Sequence, residues 1–238
     1  MKTNSGMTEK KEINQFMDFH NHTTWSDGEN SVAEIMEHAK KCQISMIGIC
    51  DHFLASETRT LNEDELDEYA ADLNRVGGIY RAEVCLVKGL EIPIFALNHI
   101  WDDTLIQKIN QFDYVLIEDY NNASDSTNFL HARSNIQKIQ CAKGLAHTAP
   151  TEKTITFMEE NDLFWELNIG AAYDFYRYID ECEKEYVKSI FSSLNRKHIK
   201  VSIGTDSHTL TDYPLGYLRE ANRMAERYLS KLNIAEES

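Results

Sequence analysis

From Phe16 onward, short apolar runs rich in strand-forming residues alternate with longer stretches of helical periodicity, and the cycle repeats about seven times. A strand covered on both faces needs a helical crossover to reach a parallel neighbour, so this rhythm predicts an α/β fold with one parallel sheet inside a layer of helices. The strand candidates are 16–20, 45–50, 84–91, 113–118, 144–147, 163–168 and 200–204. Helices are expected over 31–42, 62–81, 102–110, 126–142, 151–161, 179–196 and 215–232. Ser31 followed by Glu34 makes a capping box. Pro93, Pro150 and Pro214 each stand just beyond a strand, clear of helix interiors. Gly77-Gly78 falls near the end of the second helix and reads as a helix stop, so no dinucleotide-binding fingerprint is present. A chain of 238 residues suits one closed βα barrel or one open doubly wound sheet. Residues 1–15 are expected to form a disordered tail, and 16–238 a single domain.

Composition narrows the partners. A net charge of -15 removes the basic footprint that a nucleic-acid polymer or a membrane surface requires. A small phosphorylated substrate stays compatible, because bound divalent ions add positive charge that residue counting misses. Cys42, Cys50, Cys85, Cys141 and Cys182 are widely spaced and form no CxxC pair, so they are expected to be reduced and mostly buried thiols. There is no apolar stretch of membrane-span length and the first residues are too polar for a signal peptide, which makes the cytoplasm the expected compartment.

The strand ends carry the chemistry. The first runs Asp18-Phe19-His20-Asn21-His22, and alternation turns Asp18, His20 and His22 to one side, where two imidazoles can grip one ion. Asp27 follows in the loop. The second strand ends Asp51-His52, the third Gly89-Leu90-Glu91 and the fifth Ala146-His147, while the seventh runs into Asp206-Ser207-His208. In a βα barrel these C-terminal ends converge on one mouth. His38, His131 and His198 fall on or beside helices and are expected to be solvated or capping, and His99 is a weaker candidate for the barrel mouth.

In this order the motifs resemble those of the PHP family, the polymerase and histidinol phosphatase superfamily. The resemblance implies a distorted seven-stranded (βα)7 TIM-like barrel holding two or three divalent ions, zinc, iron or manganese. It implies His20, His22, Glu91 and Asp206 around one ion, Glu91 bridging to a second that His147 also binds, and Asp27, His52 and His208 around a third. One position departs from the pattern. Phosphatase-like members carry a histidine after the fourth strand, where this chain reads Glu118-Asp119-Tyr120, so Glu118 or Asp119 is expected as the replacement.

The activity implied is hydrolysis of a small phosphate monoester resembling histidinol phosphate, by attack of a hydroxide bridging the ions. Asp206 or His208 would orient the water or return a proton to the leaving alkoxide, and Asp18, Asp51 and Ser207 would fix imidazole tautomers and carboxylate orientation. Arg133, Asn168 and Arg177 are the candidate substrate binders, Arg177 lying in the aromatic-rich segment 173–178. Other readings are a phosphodiesterase or nucleotide phosphatase of the same family, a hydrolase of C-N or C-O bonds, and a catalytically silent metal-binding protein.

Overall fold

Seven parallel strands stand side by side in chain order in the computed structural model, which describes residues 16–56, 58–120, 130–170 and 175–232. The expected N-terminal tail lies outside the described residues. The strands are β1 Met17–Asp18, β2 Met46–His52, β3 Cys85–Pro93, β4 Tyr114–Glu118, β5 Ala142–Leu145, β6 Phe164–Asn168 and β7 Val201–Gly204. Beyond the sheet's two ends the chain pairs again: the Phe19 N-H donates to the Ile203 carbonyl at 2.7 Å, and the His22 N-H to the Ser207 carbonyl at 2.9 Å. The sheet therefore returns on itself as a barrel. Every residue of β2, β6 and β7 is buried, as strands sandwiched between a packed interior and a helical coat must be.

The helices are α1 Val32–Cys42, α2 Leu66–Tyr80, α3 Ile94–Leu97, α4 Asp103–Ile109, α5 Leu130–Lys138, α6 Glu152–Asn161, α7 Tyr176–Asp180, α8 Glu185–Arg196 and α9 Leu215–Tyr228. Ser31 caps α1 as expected: its hydroxyl accepts from the Glu34 N-H at 3.3 Å, and the Glu34 carboxylate accepts from the Ser31 N-H at 2.8 Å. Asp102 and Thr151 cap α4 and α6 in the same way.

Several boundaries differ from expectation. Gly77-Gly78 does not stop α2, which continues to Tyr80. A side chain at Gly77 would stand 3.0 Å from the Leu86 Cδ2, so the glycine seats the helix closely on β3. The helix expected over 179–196 is split by a turn into α7 and α8. Pro93 belongs to the end of β3 and caps the short helix α3, whose apolar residues carry no strand or helix period of their own. The fifth strand begins two residues early and ends at Leu145, leaving Ala146 and His147 just past it. The cysteines are all free, but only Cys50 is buried; Cys85 is exposed and the other three are half-buried, because they sit at a helix end (Cys42), at or just before strand starts (Cys85 and Cys141) and in the turn between α7 and α8 (Cys182) rather than in the barrel interior. No helix among the described residues is long and apolar enough to cross a membrane.

Candidate metal centre

The extended chain beyond β1 turns His20 and His22 to the same side, and the parallel register places the ends of β2 and β3 beside each other, His52 level with Glu91. The two imidazole Nε2 atoms lie 3.0 Å apart. Glu91 Oε2 stands 3.2 Å from His20 Nε2 and 3.3 Å from His22 Nε2. Asp206 Oδ1 stands 3.4 and 3.3 Å from the same two nitrogens. Donors arranged tetrahedrally about a zinc-sized ion, at about 2.0 to 2.1 Å from it, are separated by about 3.3 Å. The five separations just given, 3.0 to 3.4 Å, match that spacing.

The remaining donors spread outward from this group. His147 Nε2 lies 3.3 Å from Glu91 Oε1 and 3.2 Å from Asp206 Oδ2, so both carboxylates present a second oxygen to a second nitrogen. On the other side, His52 Nδ1 is 3.1 Å from Glu91 Oε2 and 3.6 Å from Glu118 Oε1. Asp27 faces His208 Nε2 at 3.3 Å, His52 Nε2 at 3.7 Å and His22 Nδ1 at 3.9 Å. Glu118 therefore reaches the donors, whereas Asp119 stands at the mouth and joins none of the donor groups among the described residues.

The fit to divalent ions can be tested on satisfaction. His22 Nδ1, His52 Nδ1 and both oxygens of Glu91 are buried and make no hydrogen bond. Native interiors almost never leave a buried carboxylate unbonded on both oxygens, because its desolvation is then uncompensated. Coordinate bonds to ions would satisfy all of these atoms at once. The charges agree: burial opposes ionisation of Asp206, yet His20, His147 and His22 around it hold its carboxyl well below the usual carboxylate range. Burial likewise opposes protonation of His147, but Glu91 and Asp206 raise it to about 9. Protons attracted to these nitrogens mark where a divalent cation would be attracted instead.

Asp119, His147 and Asp206 share a further property, a left-handed backbone with φ of 62°, 48° and 54°. Each closely follows its strand, and such non-glycine conformations are maintained where the surroundings over-determine them, commonly at functional sites.

Buried carboxylates brace the mouth from below. Asp51 accepts from the Thr23 N-H at 2.7 Å and from the Ser26 hydroxyl at 2.6 Å, which fastens the loop carrying Asp27. Asp18 accepts from the Thr205 N-H at 2.9 Å and from the Tyr213 hydroxyl, fastening the loop that carries Asp206. Both thus act on backbone and hydroxyls, not on the imidazole tautomers expected of them. Ser207 pairs through its main chain with His20 and His22, just beyond β1. The imidazole partner is Glu166, a residue that strand-end reasoning passed over. Its Oε1 lies 2.6 Å from His20 Nδ1. A lone acid inside the apolar run Phe164-Trp165-Glu166-Leu167-Asn168 was the available signal.

Above the donors lies a cavity of about 380 Å³ whose rim is formed by Ser56, Thr58, Phe95 and Asp119. Its described lining contains neither lysine nor arginine. Arg133 lines a separate depression with Tyr120, its guanidinium 5.9 Å from the Phe157 ring centre. Arg177 is exposed on α7, over the Tyr178 ring at 5.4 Å. Asn168 is fully buried, donates to Glu166 Oε2 at 3.3 Å and accepts from the Gly170 N-H at 2.7 Å. The structure thus gathers the nine expected ligands and brings none of the three expected substrate binders into the cavity lining. The aromatic residues expected beside Arg177 lie partly outside the described residues. His99, His131 and His198 are exposed, and His38 packs edge-on to Tyr213.

The PHP domain model matches residues 18–232, nearly the whole barrel. The chain belongs to the PHP family. Membership places it among metal-dependent phosphoesterases. The PHP barrel is similar to that of a histidinol phosphate phosphatase from Lactococcus lactis in complex with zinc, L-histidinol and phosphate, with a TM-score of 0.61 and 14% identity over 92% of this chain and 95% of that one. It is also similar to a candidate histidinol phosphatase from Listeria monocytogenes, with a TM-score of 0.54 and 14% identity over 89% and 99% of the two chains. No curated relative matches the PHP chain by sequence.

Proposed function

We propose that this PHP protein is a phosphatase acting on a small phosphate monoester of the kind that histidinol phosphate represents. The observation that carries the reading is Glu91, buried with both carboxylate oxygens unbonded and imidazole nitrogens on either side of it. His20, His22, Glu91 and Asp206 would hold one divalent ion. Glu91 and Asp206 would turn their second oxygens with His147 to another, and Asp27, His52 and His208 would hold a third. Glu118 takes the place that a histidine occupies in phosphatase-like members. Zinc, iron and manganese all suit such nitrogen and oxygen donors.

Bound ions acidify water to near neutrality and neutralise charge building on the phosphoryl oxygens. The lack of lysine and arginine in the described cavity lining supports assigning phosphate recognition to that ion cluster. Five carboxylates face donor nitrogens here: Asp27, Glu91, Glu118, Glu166 and Asp206. Two divalent ions leave them one negative charge in excess; three leave one positive charge, which favours three for an anionic substrate. Asp206 and His208, with side chains 12% and 39% exposed, orient the attacking water from their ligating positions. His208 Nδ1 faces the Asp206 carbonyl at 3.0 Å, and a carbonyl only accepts, so that nitrogen carries the proton and Nε2 is directed at Asp27. Phe95, 43% exposed at the rim, offers a ring to an apolar portion of the substrate. The Lactococcus lactis relative, which holds L-histidinol together with phosphate, supports a phosphorylated amino alcohol as the compound to try first.

Metal analysis followed by assay on histidinol phosphate and p-nitrophenyl phosphate tests the proposal. Two to three equivalents of metal are expected, with phosphate released from at least one compound and release abolished in His20→Ala. Metal-replete protein that frees no phosphate from either compound would sink it.

A further inference from the structure

Glu166 touches two parts of the centre at once. Its Oε1 lies 2.6 Å from His20 Nδ1, and a carboxylate accepts, so the imidazole proton sits on Nδ1 and the Nε2 lone pair is aimed at Glu91 and Asp206. Its Oε2 accepts the His147 N-H at 3.1 Å, at the residue whose left-handed backbone turns the ring toward Glu91 Oε1. Asn168 donates to the same oxygen at 3.3 Å. Room for the carboxylate comes from Gly204, where a side-chain carbon would stand 2.3 Å from Glu166 Oε1 and 2.5 Å from the His20 Cβ. One carboxylate therefore fixes a ring tautomer on one side of the centre and a main-chain turn on the other.

We infer that Glu166 is a positioning residue that sets the affinity of the centre for its ions by holding His20 and His147 together in their ligating orientations. The inference rests on the reading of the cluster as a metal centre. It acts through other ligands, because its own oxygens are already taken by His20, the His147 main chain and Asn168. A carboxylate behind a metal-binding imidazole raises its basicity and fixes its direction, and loss of such a partner costs about 10- to 100-fold in metal affinity. Glutamine in its place keeps the volume and one acceptor but turns an amide donor on either the imidazole proton or the His147 N-H.

The test is zinc affinity of the full chain, by competition with a chromophoric chelator, for wild type, Glu166→Gln, Glu166→Asp and His20→Ala, beside thermal melts of the metal-free proteins. The expected result is zinc binding weakened by about 10- to 100-fold in Glu166→Gln while its metal-free melt stays near wild type. Wild-type affinity in Glu166→Gln together with lost affinity in His20→Ala overturns the role of Glu166 and leaves the metal centre standing. Undiminished affinity in His20→Ala overturns both. Should Glu166→Gln not fold, Glu166→Asp decides: its shortened side chain cannot span both contacts, so wild-type affinity there overturns the inference and weakened affinity supports it.

Discussion

The Tyr114 hydroxyl donates to the Phe19 carbonyl at 2.6 Å, reaching from β4 across the barrel interior to the chain just before His20. It passes over two glycines. A side-chain carbon would stand 2.4 Å from the Tyr114 oxygen at Gly48 and 2.3 Å from its ring at Gly89. Gly89→Ala is therefore expected to overpack the interior and cost about 1 to 3 kcal/mol. Since Gly89 lies two residues before Glu91 on β3, zinc affinity should fall with the melting temperature. Tyr114→Phe should cost only about 1 kcal/mol, the net value of one buried hydrogen bond. Thermal and urea melts of the metal-free proteins measure both, and an unchanged midpoint for Gly89→Ala would refute the first.

Glu91 joins the donors on both sides, so removing its charge should damage the centre more than removing any imidazole. Glu91→Gln is expected to lose phosphate release entirely and to retain less metal than His147→Ala, as read by metal analysis after dialysis. Retention of full metal content in Glu91→Gln would contradict this placement.

Ion removal should destabilise the fold as well as silence it. Ions that bind the folded chain alone add about 4 kcal/mol when present at a thousandfold excess over their dissociation constant. Treatment with a chelator is expected to lower the melting temperature and abolish hydrolysis, with both restored by zinc or manganese. A melt indifferent to the chelator would mean that the donors hold no ion.

Asp51 organises the loop of Asp27 through four contacts, to the main-chain and hydroxyl groups of Thr23 and Ser26. Asp51→Asn replaces one acceptor oxygen by a donor and removes the charge, at a cost of about 2 kcal/mol in stability. Because Asp27 lies outside the His20 group, the expected metal signature is loss of the ion at His208 with the ion at His20 retained. Equal loss of all ions would argue against separate sites.

Arg133 stands in its own depression beside Phe157 and Glu160, apart from the donors. Arg133→Ala should leave KM within about twofold, as surface substitutions away from a site normally do, whereas Phe95→Ala should raise KM for an aryl phosphate. A large rise in KM for Arg133→Ala would restore it as a substrate binder.

Much of this was written along the chain. Strand periodicity and helical spacing are local properties, so the seven βα units and the polar residue ending each strand follow from residues read in order. Barrel closure brings those ends together wherever the parallel register is kept, and for that reason His20, His22, His52, Glu91, His147, Asp206 and His208 could be assigned to one mouth from the strand ends alone. The reach of Glu118 to His52, the bracing roles of Asp18 and Asp51, and the contact of Glu166 with His20 depended on the tertiary structure. These are relations between atoms 25 to 195 residues apart in the chain, decided by side-chain direction and burial. The same holds for Arg133 and Arg177: sequence put them after the right strands, and only packing turned their guanidinium groups onto Phe157 and Tyr178.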